Sequence, residues 1–229
     1  MKQGLQLDKV VLLGRTMDEY RRYFALNLDK LRGLAVLDVA SGVSSFCAEA
    51  HAAGLEVTAF DAIYEMAPEE IQRRCAPDLD HVLDAVRGLK TYRWDFYQSP
   101  ENLRRFRERA YRAFLDDYRE HQGKRYVPGR LPALPFRDGQ FDLTLVSYLL
   151  FVYEAQLDYE FHKRSLLEIM RVTGGEARLY PIVSFEAVRC GYLDRLKQDG
   201  ALQHLGFEEV QTDFEFLLNS NYYLRVFHR

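Results

Sequence analysis

Asp38, Gly42 and Asp61 have the types and spacing to hold a nucleotide-like cofactor. Asp38 stands near the end of an apolar run, VLDVA, and the small-residue turn Ala40-Ser41-Gly42-Val43-Ser44 follows. SSFCAEAHAAG then reads as a helix ended by Gly54, and a second apolar run, LEVTAFD, closes on Asp61. Strand, helix and strand with short links make a βαβ unit, which implies a parallel sheet and a right-handed crossover. Ligands of such sheets sit at the carboxyl ends of the strands. Gly42 has no Cβ and lets a ligand approach the backbone. The helix-start N–H groups and the Ser44 and Ser45 hydroxyls can bind polar atoms. Asp61 can accept hydrogen bonds from both hydroxyls of a ribose. Asp38 puts a negative charge in the pocket, which repels a pyrophosphate and suits a cation. The blander readings are a plain strand-to-helix turn and, for Asp61 taken alone, a surface cap.

Three further groups carry potential chemistry. Arg15, in GRTMDEY, offers a planar guanidinium that can pair bidentately with a carboxylate, with Tyr20 or Tyr23 packed alongside. A surface ion pair is its other reading. His162 is at helical spacing from Asp158, either a base at the pocket rim or a solvated helix residue. Cys47 sits on an apolar helix face and reads as core. The three cysteines, Cys47, Cys75 and Cys190, are widely spaced. They form neither a disulfide framework nor a metal knuckle, so no metal site and a reducing cytosol are expected.

These residues need elements to position them. Thr16 to Leu31 reads as one helix, capped by Thr16 with Glu19 as its capping-box partner and stopped by Gly33. Met17, Tyr20, Tyr23, Phe24, Asn27, Leu28 and Leu31 share its stripe. Residues 65–124 contain no convincing strand, and PEEIQRRC, DLDHVLDAVRGLK and PENLRRFRERAYRAFLDDYREH read as three helices. The α/β pattern resumes with RYV as a short strand and with FDLTLVSYLLFVY, which starts as a strand. YEFHKRSLLEIMRVT follows as a helix ended by Gly174-Gly175, then EARLYPIV as a strand. EAVRCGYLDRLKQDGALQHL reads as a helix ended by Gly206, and FEEVQTDF and NSNYYLRVFHR as a closing hairpin across Glu215 to Leu218.

The 229 residues are 48% apolar and 28% charged, with a net charge of −3, which gives no global argument for nucleic acid or an anionic membrane. Arg104, Arg105, Arg107, Arg109, Arg112 and Arg119 alternate with Glu108, Asp116, Asp117 and Glu120. They read as a solvated helix face, since no aromatic residue is interleaved with them on that polar face. The apolar run Leu143–Tyr153 is interrupted by Thr and Ser and falls short of the ~20 residues of a membrane span. Val10–Leu13 is too short for a signal-peptide core. A soluble, cytoplasmic protein with no membrane partner is expected.

Four stretches in order, VLDVASG, VTAFD, LPFRDGQFDLTLVSYLL and LEIMRVTGGEARLYPIV, resemble the class I S-adenosylmethionine-dependent methyltransferases, nearest to the small-molecule branch with an LPF loop. The resemblance covers residues 34–62 and 125–229. It implies a Rossmann-like α/β fold with a doubly wound, mostly parallel seven-stranded sheet and an antiparallel C-terminal hairpin. Residues 1–229 would form one methyltransferase domain, with 65–124 as a helical insertion. It also implies S-adenosylmethionine as cofactor and a small-molecule acceptor. The family loop, acidic-x-Gly-x-Gly-x-Gly, stands here as Asp38 to Ser44, with Ala40 and Ser44 in place of the outer glycines. Glycine-like positive φ is expected to be lost at both.

By the same resemblance, Asp38 lies near the methionine part, Ala40, Ser41 and Gly42 form the loop beneath, Asp61 meets the ribose and Ile63 covers the adenine. Arg130 occupies the position where the family often has an Asp for the adenine amine, and Leu131 follows as an apolar and backbone contact. Arg15 would pair with the cofactor carboxylate. Ser147, at the end of the Leu143–Ser147 strand, is a candidate for cofactor binding and for acceptor contact. Tyr20, Tyr64, Trp94, Tyr148 and Tyr153 are the acceptor-site candidates, and Tyr148 and His162 the candidates for catalysis. Because the sulfonium methyl is already activated, positioning alone can contribute on the order of 7–11 kcal/mol, and a base is needed only for a protonated acceptor. A non-catalytic cofactor-binding or regulatory module is the second reading. A NAD-linked oxidoreductase is a third, opposed by the missing three-glycine fingerprint and by Asp38.

Overall fold

Successive residues of the first strand, β1 (Ala35–Val39), face opposite ways: Val36 packs into one apolar cluster, Leu37 and Val39 into another. A strand buried on both faces belongs inside a sheet covered by helices on each side. The computed structural model describes residues 11–229, so Val10 of the N-terminal apolar run lies outside the described residues. After α1 (Met17–Tyr23) and β1 come α2 (Phe46–Ala52), β2 (Glu56–Asp61), α3 (Pro68–Val86), α4 (Pro100–His121), β3 (Tyr126–Pro128) and β4 (Phe141–Ser147). The chain continues through α5 (Tyr159–Val172), β5 (Thr173–Tyr180), α6 (Leu193–Gln198), β6 (Leu205–Gln211) and β7 (Tyr222–His228). The seven strands lie in the order β3-β2-β1-β4-β5-β7-β6. β3 through β5 pair in parallel, while β7 runs antiparallel to both β5 and β6. Helices α1 to α4 contribute to the cluster containing Val36, and α5 and α6 to the cluster containing Leu37.

The order reverses at β1, which has β2 on one side and β4 on the other. In such sheets the carboxyl ends at the reversal point leave a crevice that no crossover covers. The expected doubly wound sheet with an antiparallel C-terminal pair is therefore present.

Several element boundaries differ from those expected. The helix expected from Thr16 to Leu31 ends at Tyr23, and Leu28–Leu31 is a separate 3-10 turn. Arg178 takes the Phe24 carbonyl at 2.6 Å, Ala25 turns to φ +48°, and Asn27 leaves the stripe to cap Asp29 N and Lys30 N. PEEIQRRC and DLDHVLDAVRGLK are one helix, α3, that runs through Pro77. The proline removes one hydrogen bond, but Ile71, Cys75, Leu79, Leu83 and Val86 gain one continuous buried stripe.

Gly174 and Gly175 do not end α5 in a loop. They lie within β5, beside an irregularity in the β4–β5 register, where a Cβ on Gly175 would stand 2.2 Å from the Asp142 carbonyl oxygen. Gly206 likewise sits in β6, where a Cβ would meet the Phe227 ring at 2.4 Å. Of the helix expected over 186–205, only α6 and a 3-10 turn at Gly200–Leu202 form. Val183 bridges back to Arg189 across Ala187 at φ +61°. The β6–β7 connection spans 212–221 and is longer than the four residues expected.

Candidate functional site

A pocket of about 340 Å³ opens at the carboxyl ends of β1, β2 and β4. Ala40, Ser41, Gly42 and Ser44 line it after β1, Asp61 and Ile63 after β2, and Ser147, Tyr148 and Leu149 after β4. Arg15 and Tyr20 close it from the N-terminal side, Leu131 from the loop after β3, and Tyr153 from the segment after β4. Eleven of the sequence-derived site residues thus meet in one place: Arg15, Tyr20, Ala40, Ser41, Gly42, Asp61, Ile63, Leu131, Ser147, Tyr148 and Tyr153.

The loop geometry corrects one expectation. Ala40 keeps the positive φ that its side chain disfavours, at +57°, the same value as Gly42. Among the described residues no atom lies within 4 Å of where a Gly42 Cβ would stand, so they leave that face of the loop open. Asp61 holds the loop in place: its Oδ2 accepts from Gly42 N at 2.9 Å and its Oδ1 from Ile63 N at 2.9 Å. Each oxygen keeps a lone pair for a further donor. Burial raises the Asp61 carboxyl above the ordinary range, against these backbone hydrogen bonds. From below, the Tyr64 hydroxyl donates to Gly42 O at 2.9 Å.

Asp38 does not line the pocket. It is fully buried one layer behind, where its carboxylate accepts from Tyr20 at 3.0 and 3.1 Å and from Ser41 Oγ at 2.6 Å. Burial pushes its carboxyl up to about 7, and the hydrogen bonds from Ser41 and Tyr20 oppose that. The expected charge in the pocket is therefore relayed through two hydroxyl groups.

The N-terminal segment forms one wall. Ser44 Oγ and Ser45 N donate to the Arg15 carbonyl at 2.7 and 2.9 Å, Leu12 N donates to Asp78 on α3 at 3.0 Å, and Arg107 on α4 donates to Gly14 O at 3.0 Å. So tied, Arg15 lies over the Tyr148 ring, 4.0 Å from its centroid, and Nη1 donates to Leu13 O at 2.7 Å. Among the described residues its Nε is buried without a hydrogen-bond partner. Tyr148 has φ +51°, its N–H donates to Tyr180 O at 2.7 Å, and burial raises its phenol. Bulky residues rarely adopt such a φ outside sites whose surroundings enforce it.

Three candidates stand elsewhere. His162 is fully buried, and its ring nitrogens face the Asp158 and Leu150 carbonyl oxygens at 2.7 and 2.9 Å, so neither is left for a substrate. Trp94 packs edge-on against Phe216, with centroids 5.3 Å apart, outside the pocket lining. Tyr64 is buried under the loop. Sequence reasoning missed Arg74, Phe161 and Phe185 in the lining. It also placed Arg107 on a solvated face, whereas Arg107 is buried and pairs with buried Glu19 at 2.6 Å. The signal was there: Arg107 shares the helical stripe of Leu103, Ala110 and Phe114. Glu19 also accepts from Tyr23 at 3.0 Å and from Tyr97, so the capping-box residue anchors a buried network. Burial alone would raise its carboxyl, but Arg107 with the Tyr97 and Thr16 hydrogen bonds outweighs this and holds it below the ordinary range.

The sheet order, one antiparallel strand and a pocket at the reversal point define a Rossmann-like, doubly wound α/β fold. The chain belongs to the family of the uncharacterized protein MJ0045 of Methanocaldococcus jannaschii. The two share 37% identity over 219 residues, which is 95% of this chain and 96% of that protein. No family model matches the chain. Among solved structures it is similar to a putative S-adenosyl-L-methionine-dependent methyltransferase of Methanococcus maripaludis (10% identity, 93% of this chain and 83% of that one, TM-score 0.41). It is also similar to a SAM-dependent methyltransferase of Aquifex aeolicus (13% identity, 93% and 95%, TM-score 0.41). A third is the magnesium protoporphyrin IX methyltransferase of Synechocystis PCC 6803, solved with bound SAM (10% identity, 93% and 78%, TM-score 0.47). Among the described residues no helix is long and apolar enough to cross a membrane.

Proposed function

We propose that this chain is a methyltransferase that binds S-adenosylmethionine in the pocket at the reversal point and methylates a small molecule. One observation carries the reading: Asp61 clamps the open Gly42 loop through two backbone N–H groups and still has acceptor capacity facing the pocket. That suits a ribose diol over a bare backbone surface, and no diphosphate needs to be accommodated. When bound, S-adenosylmethionine supplies an activated sulfonium methyl group. Asp61 would hold its ribose, Ile63 and Leu131 its adenine, and Arg15 its carboxylate through the unpartnered edge of the guanidinium. The loop residues Ala40, Ser41 and Gly42 would lie beneath it, and Ser147, Tyr148 and Tyr153 would face the acceptor. Leu13, Leu149, Phe161 and Phe185 give this pocket an apolar wall that limits water.

Titration calorimetry with S-adenosylmethionine, S-adenosylhomocysteine and 5′-methylthioadenosine tests the assignment. All three should bind. Arg15→Lys should weaken the first two roughly tenfold or more, as loss of a charge-assisted bidentate contact does, and leave methylthioadenosine, which has no carboxylate, unchanged. Absence of binding by all three sinks the reading. Transfer of a radiolabelled methyl group to a panel of small acceptors then separates an enzyme from a binding module that does not catalyse.

A further inference from the structure

Ser147, Tyr20 and Asp38 form a chain of hydrogen bonds that leads out of the pocket. Ser147 and Tyr20 line the pocket, and Asp38 lies behind them with no solvent exposure. The proton positions along the chain follow from the donor inventory. The single Tyr20 hydroxyl proton is shared between Asp38 Oδ1 and Oδ2, at 3.1 and 3.0 Å. Tyr20 Oη can therefore only accept in its 3.1 Å contact with Ser147 Oγ, so Ser147 is the donor there. Ser147 Oγ keeps its lone pairs to accept a further hydrogen bond, and Ser147 lines the pocket. Every link points the same way, from the pocket towards a carboxylate.

We propose that Asp38 is the proton acceptor of this site, reached from the pocket through Ser147 and Tyr20, and that it takes up the proton that an O–H, N–H or S–H acceptor releases on methylation. This rests on the methyltransferase reading above. In the step, the acceptor atom X forms its bond to the methyl carbon as the carbon–sulfur bond breaks and its electron pair leaves with sulfur. The X–H bond breaks, its electron pair stays on X, and its proton passes to Ser147 Oγ. The Ser147 proton moves to Tyr20 Oη, and the Tyr20 proton moves to Asp38. Ser147 and Tyr20 end as they began, each with one proton, turned about. Atoms and charge balance with no further reactant.

The surroundings of Asp38 suit a proton store. Among the described residues it has no ion-pair partner. The groups that face it are Tyr20 from α1, Ser41 from the loop, Cys47 from α2, Asp61 from the end of β2 and Tyr64 from the 3-10 turn after β2. Burial and the Asp61 charge favour its neutral form, and the hydrogen bonds from Ser41 and Tyr20 favour its charged form, leaving the group balanced near neutrality at about 7. Burial and the Asp38 charge together keep the Tyr20 phenol far above its ordinary range, so Tyr20 passes protons as a neutral hydroxyl. His162 is fully buried and its ring nitrogens are taken by backbone carbonyls, so it does not compete for the role.

The test needs no knowledge of the acceptor. The full chain is labelled with [4-¹³C]aspartate and its carboxyl resonances are followed by NMR from pH 5 to 9, with and without S-adenosylhomocysteine. One resonance should titrate between pH 6 and 8 and vanish in Asp38→Asn. In wild type it should move as a single averaged line. In Tyr20→Phe, and in the milder Ser147→Ala, proton exchange at Asp38 should slow at least tenfold and split the line. A titration midpoint below pH 5, or unchanged exchange in both variants, overturns the relay. If the relay behaves as described but calorimetry finds no S-adenosylmethionine binding to wild type, it is the methyltransferase reading that fails, and with it the acceptor as the source of the proton.

Discussion

Ala40 and Gly42 have the same φ, +57°, but only one of them suits it. An L-residue with a Cβ in this region carries about 1–2 kcal/mol of strain, which Ala40 tolerates because its backbone is enclosed between β1 and a loop clamped by Asp61. Ala40→Gly should release that strain while adding about 0.4–1 kcal/mol of unfolded-state entropy. The net result is a gain of between zero and about 1.6 kcal/mol in unfolding free energy by denaturant titration, with cofactor affinity unchanged. Gly42→Val acts in the opposite direction. Its side chain would enter the face where no atom of the described residues lies within 4 Å, at a φ that β-branched residues avoid. S-adenosylmethionine affinity should fall at least about a hundredfold, or ~2.7 kcal/mol, and unchanged affinity in calorimetry would remove Gly42 from the site. The turn after β1 was therefore legible in the sequence as a loop at a pocket, which Ala40, Ser41 and Gly42 line. The retained positive φ of Ala40 was not, because residue type records a preference and the tertiary clamp overrides it.

At the scale of elements, the strap ahead of α1 and the β4–β5 seam decide how well the pocket walls are held. Arg107 ties Gly14 of the strap to Glu19 of α1 from a buried position on α4. Arg107→Met leaves Glu19 buried with hydroxyl and backbone donors alone, a loss of about 3–5 kcal/mol for a broken buried pair. Thermal melts should show a drop of roughly 10 °C at 2–4 °C per kcal/mol, and Glu19→Gln in the same chain should recover part of it. In the seam, Gly175→Ala places a Cβ 2.2 Å from a backbone oxygen that cannot move aside, whereas the nearest neighbour to a Cβ on Gly174 is at 3.5 Å. Gly175→Ala should cost about 1–3 kcal/mol by overpacking, and Gly174→Ala much less, by urea titration of both. The strand-helix-strand rhythm could be read from apolar periodicity. These glycines were misread because one glycine pair can mark either a helix stop or a close approach between strands, and only the neighbouring strand distinguishes the two. Arg107 was misread for a related reason: a charged residue on an apolar stripe looks solvated until its partner, Glu19, arrives from far along the chain.

For the molecule as a whole, Asp38 sets a pH dependence that runs against the usual direction. Its carboxyl ionises near 3.9 in the unfolded chain and at about 7 in the folded one. Between these values the folded state holds a proton that the unfolded state has lost, so its contribution to stability is greatest below pH 4, declines up to pH 7 and is constant above. Glu209 acts in the opposite sense. Hydrogen bonds from Arg189 hold it down to about 2, so the stability it adds is present above its unfolded value near 4.3 and is lost as pH falls through about 2. The wild-type profile mixes both signs, and the difference between wild type and Asp38→Asn isolates one. A tenfold change in an acid's ionisation constant on folding corresponds to about 1.36 kcal/mol. The stability of the variant relative to wild type should therefore rise by about 2–4 kcal/mol between pH 4.5 and 7.5, whatever offset the amide introduces. Denaturant titrations at those two pH values measure it. A flat difference would mean that Asp38 is already ionised at pH 4.5, and a carboxylate ionised there could not serve as the proton store behind Tyr20 and Ser147.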